Sequence, residues 1–146
     1  MYEFEGSIYI DRPLQDVFAV ITDPTKQPQW QSSVESAEWT SNGSIGVGST
    51  MKIVSKFLGR RMEIVFAVTA YDPPRGFNVK SLDGPYPVEV TNSVEPQGEG
   101  TLLSYTSKAE FGGFFKLAEG LAGKQINKQI DASNESLKLL MESGQL

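Results

Sequence analysis

The amino-acid sequence predicts an α+β chain: a strongly curved, seven-stranded antiparallel sheet wrapped around a long C-terminal helix, with two short helices after the first strand. Two patterns carry that expectation. Apolar and polar residues alternate in Tyr2–Ile10 and again in six successive runs between Val34 and Phe111, the signature of strands with one buried face. From Phe114 to about Glu142 the apolar residues recur instead at helical spacing. One long helix cannot cover a flat sheet of that width, so the sheet has to curl around it. A length of 146 residues suits a single domain spanning 1–146, with enough chain to bury a sizeable core.

Each element has its own local reason. In the first strand Phe4, Ile8 and Ile10 share one face and Glu3, Glu5, Ser7 and Tyr9 the other. Asp11-Arg12-Pro13 reads as a helix start, with Asp11 or Arg12 near the cap and Pro13 in the first turn. Leu14, Val17, Phe18 and Ile21 then follow at amphipathic spacing until Asp23-Pro24 stops the helix. Thr25–Trp30 allows one further helical turn. Inward series follow in the strands: Met51, Ile53 and Phe57; Met62, Ile64, Phe66 and Val68; Phe77 and Val79; Val88, Val90 and Val94; Leu103, Tyr105 and Ala109. In the last helix Phe115, Ala118, Ala122, Ile126, Ile130, Leu137, Leu140 and Met141 form an apolar arc, widened by Phe114, Leu117 and Leu121 near its start. Gly120 and Gly123 weaken that end, and Gly144 is a plausible stop.

Composition excludes several classes of function. The net charge is −5, which does not fit a phosphate-binding surface, so nucleic acid is not an expected partner. With no Cys there is no disulfide or thiolate chemistry, and with no His the commonest base and metal ligand near neutral pH is missing. No cofactor and no metal are expected. An enzyme is the less favoured reading, and its catalysis would rest on Asp, Glu, Lys, Tyr, Arg or Asn. Gly43-x-x-Gly46-x-Gly48 lacks the lysine and the following helix of a phosphate loop, and reads as turn glycine. No apolar run approaches the ~20 residues of a membrane span. The first residues lack the regions of a secretion signal, so the cytoplasm is the expected location.

The turns alternate in character, and this points to function. Asn42–Gly48, Asp72–Gly76 and Pro96–Gly100 are polar, whereas the alternate turns carry Phe57, Leu58, Tyr86, Phe114 and Phe115, with Arg60 and Arg61 beside the first of them. In an antiparallel meander alternate turns lie at opposite ends of the sheet. One end is therefore expected to be a solvated rim and the other an apolar portal formed by Phe57, Leu58, Arg60, Tyr86, Phe114 and Phe115. The rim also leaves room for transient contact with a membrane or a protein. Behind the portal, Met51, Ile53, Met62, Ile64, Phe66, Phe77, Val79, Val88, Val90 and Leu103, with Leu121 on the helix, are expected either to pack as core or to wall a ligand cavity. Isolated polar residues on the same faces are more diagnostic, because a buried polar group needs a partner. Asn92 and Tyr105 are the chief candidates to orient a ligand, with Ser55, Ser81, Ser107, Gln129 and Ser133 behind them. Trp30 and Trp39 are expected to anchor packing around the first strands.

The order of elements, with Pro13-Leu14-Gln15-Asp16-Val17-Phe18, Asp23-Pro24 and Trp30, resembles the START-like superfamily. Within it, the chain looks like the polyketide cyclase/dehydrase and lipid-transport (SRPBCC) proteins. Gly46-Val47-Gly48, Val68-Thr69-Ala70-Tyr71-Asp72-Pro73-Pro74 and Gly100-Thr101 extend the resemblance over essentially the whole chain. It implies a helix-grip fold, with a ligand passing near the third–fourth, fifth–sixth and seventh-strand-to-helix connections. The expected function is binding or transport of a small hydrophobic molecule, lipid-like or aromatic. A cyclase or dehydratase working without His, and a protein-interaction module with no cavity, are the alternatives.

Overall fold

The computed structural model describes residues 2–57, 59–110 and 119–146, with backbone only for Tyr2, Phe57 and 119–122. The strands are β1 (Tyr2–Ile10), β2 (Val34–Trp39), β3 (Thr50–Phe57), β4 (Arg60–Asp72), β5 (Gly76–Asp83), β6 (Val88–Gln97) and β7 (Gly100–Ala109). They form one seven-stranded sheet in the order β1-β7-β6-β5-β4-β3-β2, antiparallel at every pairing. Between β1 and β2 lie helix α1 (Leu14–Ile21), a 3-10 turn (Pro24–Lys26) and the single-turn helix α2 (Gln27–Trp30), and helix α3 (Glu119–Glu142) follows β7. This is the expected helix-grip architecture: a curled sheet holding one long helix.

Local chemistry explains the boundaries. Helix α1 starts after Pro13, whose own φ of −58° and ψ of 150° leave it outside, and no side chain caps the helix. The start therefore falls after the Asp11–Arg12 cap read from the sequence. Arg12 instead ties the end of α3 to α1, its guanidinium donating to the Met141 carbonyl at 2.6 Å and to Asp16 at 2.9 Å. At the other end of α1, the Thr22 hydroxyl donates to the Phe18 carbonyl at 2.7 Å. Asp23 then caps the 3-10 turn, accepting from the Thr25 N–H at 3.0 Å.

Curvature comes from irregular pairing. Register shifts interrupt β2–β3 between Val34 and Ser36, and β4–β5 between Val65 and Phe66 and again between Val68 and Ala70. Bulges of this kind bend a strand and increase its twist, so β4, 13 residues long, can run around the helix. Sequence periodicity anticipates the curl but does not locate these bends.

The core occupies one end of the grip. Ile10, Val17, Leu137 and Met141 are fully buried there, joined by Phe18, Val68, Phe77, Val94 and Leu103. Tyr71 bridges Phe18 and Phe77, with ring centroids 5.9 and 6.4 Å away. The C-terminal third of α3 plugs this end, while its middle turns face open space.

Candidate functional site

The open space is a cavity of about 280 Å³ between the concave face of the sheet and α3. Met51 and Ile53 from β3, Met62, Ile64 and Phe66 from β4, and Phe77 and Val79 from β5 form one part of its wall. Val88, Val90 and Asn92 from β6 and Leu103, Tyr105, Ser107 and Ala109 from β7 form another. Period-two alternation sends these side chains to the same surface, because successive residues of a strand point to opposite faces. Apart from Ser81, every candidate cavity residue read from the sequence whose side chain is described lines this one space. Leu121 lies outside the described side chains.

The third wall is helical. Ile126, Gln129, Ile130, Ser133 and Asn134 of α3 face the cavity, as do Ile21, Thr22, Pro24, Gln27, Trp30, Gln31 and Ser33 from the β1–β2 connection and Val34 at the start of β2. The sequence points to Gln129 and Ser133 but not to the connection. A single helical turn has no period to reveal its inward side. The available signal was chemical: a large aromatic residue beside two glutamines four residues apart.

The portal candidates separate. Tyr86 is buried and belongs to the cavity wall, so it is not an exposed lip. Arg60 is exposed at the start of β4 and is not among the residues lining the cavity. Its neighbour Arg61 donates to Glu35 at 3.1 Å, and Lys56 approaches the same carboxylate at 3.6 Å. Such exposed pairs contribute at most ~1 kcal/mol. Leu58, Phe114 and Phe115 lie outside the described residues, as does the Phe57 side chain. Ser81 is accounted for internally, since its hydroxyl accepts from the Val88 N–H at 2.9 Å.

Polar groups dot an otherwise apolar lining. The Asn92 amide donates to the Phe77 carbonyl at 3.3 Å. Burial and the nearby Asp131 carboxylate raise the pKa of Tyr105, against the opposing pull of a side-chain hydrogen bond with Asn134. The ring of Tyr105 lies over Gly6, its partner across β1–β7. A Cβ added at Gly6 would sit 2.5 Å from the phenol oxygen. Burial pushes Tyr86 up to about 12. Among the described lining residues the only ionic side chain is Lys56. No described helix is long and apolar enough to cross a membrane.

Comparison with known proteins agrees with this architecture. A START superfamily protein of Mycobacterium smegmatis superposes with a TM-score of 0.74 at 16% identity, covering 97% of this chain and 94% of its own. TTHA0849 of Thermus thermophilus gives a TM-score of 0.82 at 21% identity, with 94% of each chain covered. A Deinococcus radiodurans protein gives 0.75 at 13% identity, covering 99% of each. At these identities the likeness speaks for the fold. No curated protein sequence matches the chain. The family model for polyketide cyclase / dehydrase and lipid transport matches residues 1–142. With that match running through both the sheet and the helix it grips, the chain belongs to the polyketide cyclase / dehydrase and lipid transport family.

Proposed function

We propose that the protein binds and carries a small hydrophobic molecule, lipid-like or aromatic, in the cavity between the sheet and α3. The observation that supports this reading is the cavity of about 280 Å³ walled by apolar side chains from six strands and by α3. At ~30 Å³ per water it has room for roughly nine waters, and it sits near the ~300 Å³ lower end of ligand pockets. A guest of about ten non-hydrogen atoms fits that space. An aromatic group burying about 150–250 Å² gains about 4–6 kcal/mol at ~25 cal/mol per Å². Met51 and Met62 supply adaptable, polarizable surface for it, while Asn92 and Tyr105 set its orientation. Carriage suits this lining better than turnover. Among its described residues no carboxylate or imidazole stands ready as a base, and both phenols hold their protons more tightly than usual.

Native mass spectrometry of protein purified without detergent tests the proposal, followed by incubation with naphthalene. The expected result is a co-purified small molecule, or uptake of one naphthalene per chain. Protein that arrives empty and stays empty would refute it.

A further inference from the structure

Trp30 lines the cavity, and its indole N–H is buried without a hydrogen-bond partner, alone in this among the buried side-chain polar atoms of the described residues. An indole nitrogen can only donate, and a buried donor left unpaired is destabilising, which makes it rare in folded proteins. Its neighbours do not relieve it. Gln27 and Gln31, on the same stretch and also on the lining, bond to each other through their side chains. The surrounding charge adds little. Lys56, the one ionic side chain among the described lining residues, lies close by along the chain path, because its backbone N–H donates to the Ser33 carbonyl at 2.9 Å. Its ammonium is already paired with the exposed Glu35 carboxylate at 3.6 Å and no described lining residue is a carboxylate, so the unpaired indole donor itself sets the preference, for an oxygen acceptor.

We infer that the Trp30 indole N–H is a ligand-binding group, and that the apolar guest carries a carbonyl or carboxylate oxygen which accepts from it. This rests on the carrier reading and narrows it from any hydrophobic molecule to an apolar body with an oxygen acceptor near α2. The nitrogen is shielded in the empty protein, so the inference requires the indole to turn toward the guest on binding. The unpaired donor thus favours one ligand chemistry. A plain hydrocarbon of the same size leaves it unsatisfied, and a site built to hydrogen-bond discriminates against analogues lacking that group.

Three probes of matched size separate the possibilities: butylbenzene, phenylbutanone and phenylbutanoate. Each is titrated by calorimetry and by nitrogen–proton correlation NMR of the two indole groups, with Trp39→Phe assigning the signals. The ketone is expected to bind about five- to tenfold more tightly than the hydrocarbon, the range of one neutral hydrogen bond, and the acid, as its carboxylate, at least as tightly. They are also expected to shift the Trp30 indole proton downfield, and the hydrocarbon is not. Trp30→Phe keeps an aromatic ring, removes the donor and should abolish the preference. If that variant fails to fold, the indole shift in the wild-type protein still decides. Should all three bind alike with the Trp30 signal unmoved, this inference falls and the carrier reading stands. Should none bind, both fall.

Discussion

Gly6 and Tyr105 give the sharpest test of how the cavity wall is built. A Cβ at Gly6 would lie 2.5 Å from the phenol oxygen and 2.8 Å from the adjoining ring carbon, where ordinary contact begins at 3.4 Å. In Gly6→Ala the ring must therefore move by about 0.9 Å. Such a move strains the hydrogen bond with Asn134. Losing that hydrogen bond costs about 0.5–1.5 kcal/mol, and pushing the ring off its rotamer costs a similar amount. Against this, replacing a mid-strand glycine by alanine gains about 0.5–1 kcal/mol of chain entropy. The net expectation is a loss of about 1 kcal/mol. In a Tyr105→Leu background the obstruction is absent, and the same Gly6→Ala change should stabilise by about 0.5–1 kcal/mol. Urea unfolding of the four proteins measures the coupling, expected at about 1–2 kcal/mol. A Gly6→Ala effect of the same sign and size in both backgrounds would show that the Tyr105 ring does not rest on β1.

Filling the cavity should separate binding from stability. Val90→Phe adds volume to the lining, so naphthalene uptake should disappear while Tm stays within a few degrees, well short of the ~1–3 kcal/mol of overpacking in a filled core. Leu137→Ala removes a side chain with 0% exposure at the packed end, and should cost about 2–5 kcal/mol in urea unfolding. The Glu142 carboxylate accepts from the Asp11 N–H at 2.8 Å and from Lys138 at 2.9 Å, and these bonds hold its pKa below the usual 4.5. A lowered folded-state pKa gives stability that is present above pH 4.5 and lost as pH falls through the folded value. Acid titration of Tm should therefore show a shallower slope in Glu142→Gln. Tyr86 has the opposite sign. Its pKa rises from 10 to about 12, so its contribution is intact below pH 10 and lost between the two values. Ultraviolet titration should find a phenol ionising near 12 that is absent in Tyr86→Phe.

Much of the cavity is legible in the chain because strands report their faces. Met62, Ile64 and Phe66, or Val88, Val90 and Asn92, can only point one way once their neighbours Glu63, Val65, Glu89 and Thr91 point the other. The apolar arc of α3 is equally visible, and so are the polar interruptions at Gln129 and Ser133. Tyr86 reads wrongly from sequence, as an exposed lip. Its place in a turn says nothing of whether the ring folds back over the wall, which depends on empty space supplied by other strands. Trp30 reads only as a packing anchor for a related reason. Its indole N–H gains meaning only when β2 and α3 close around it and leave it no partner.

Local alternation and helical spacing, which need only neighbouring residues, determined the number of strands, their inner faces and the one long helix. The absence of His and Cys, equally local, bounded the chemistry. Only the tertiary structure decided that α3 is packed at Leu137 and Met141 yet faces a void from Ile126 to Asn134. The void depends on where bulges bend β4 and how far the sheet curls. Those are sums over contacts between residues far apart in the chain, which no short stretch of sequence contains.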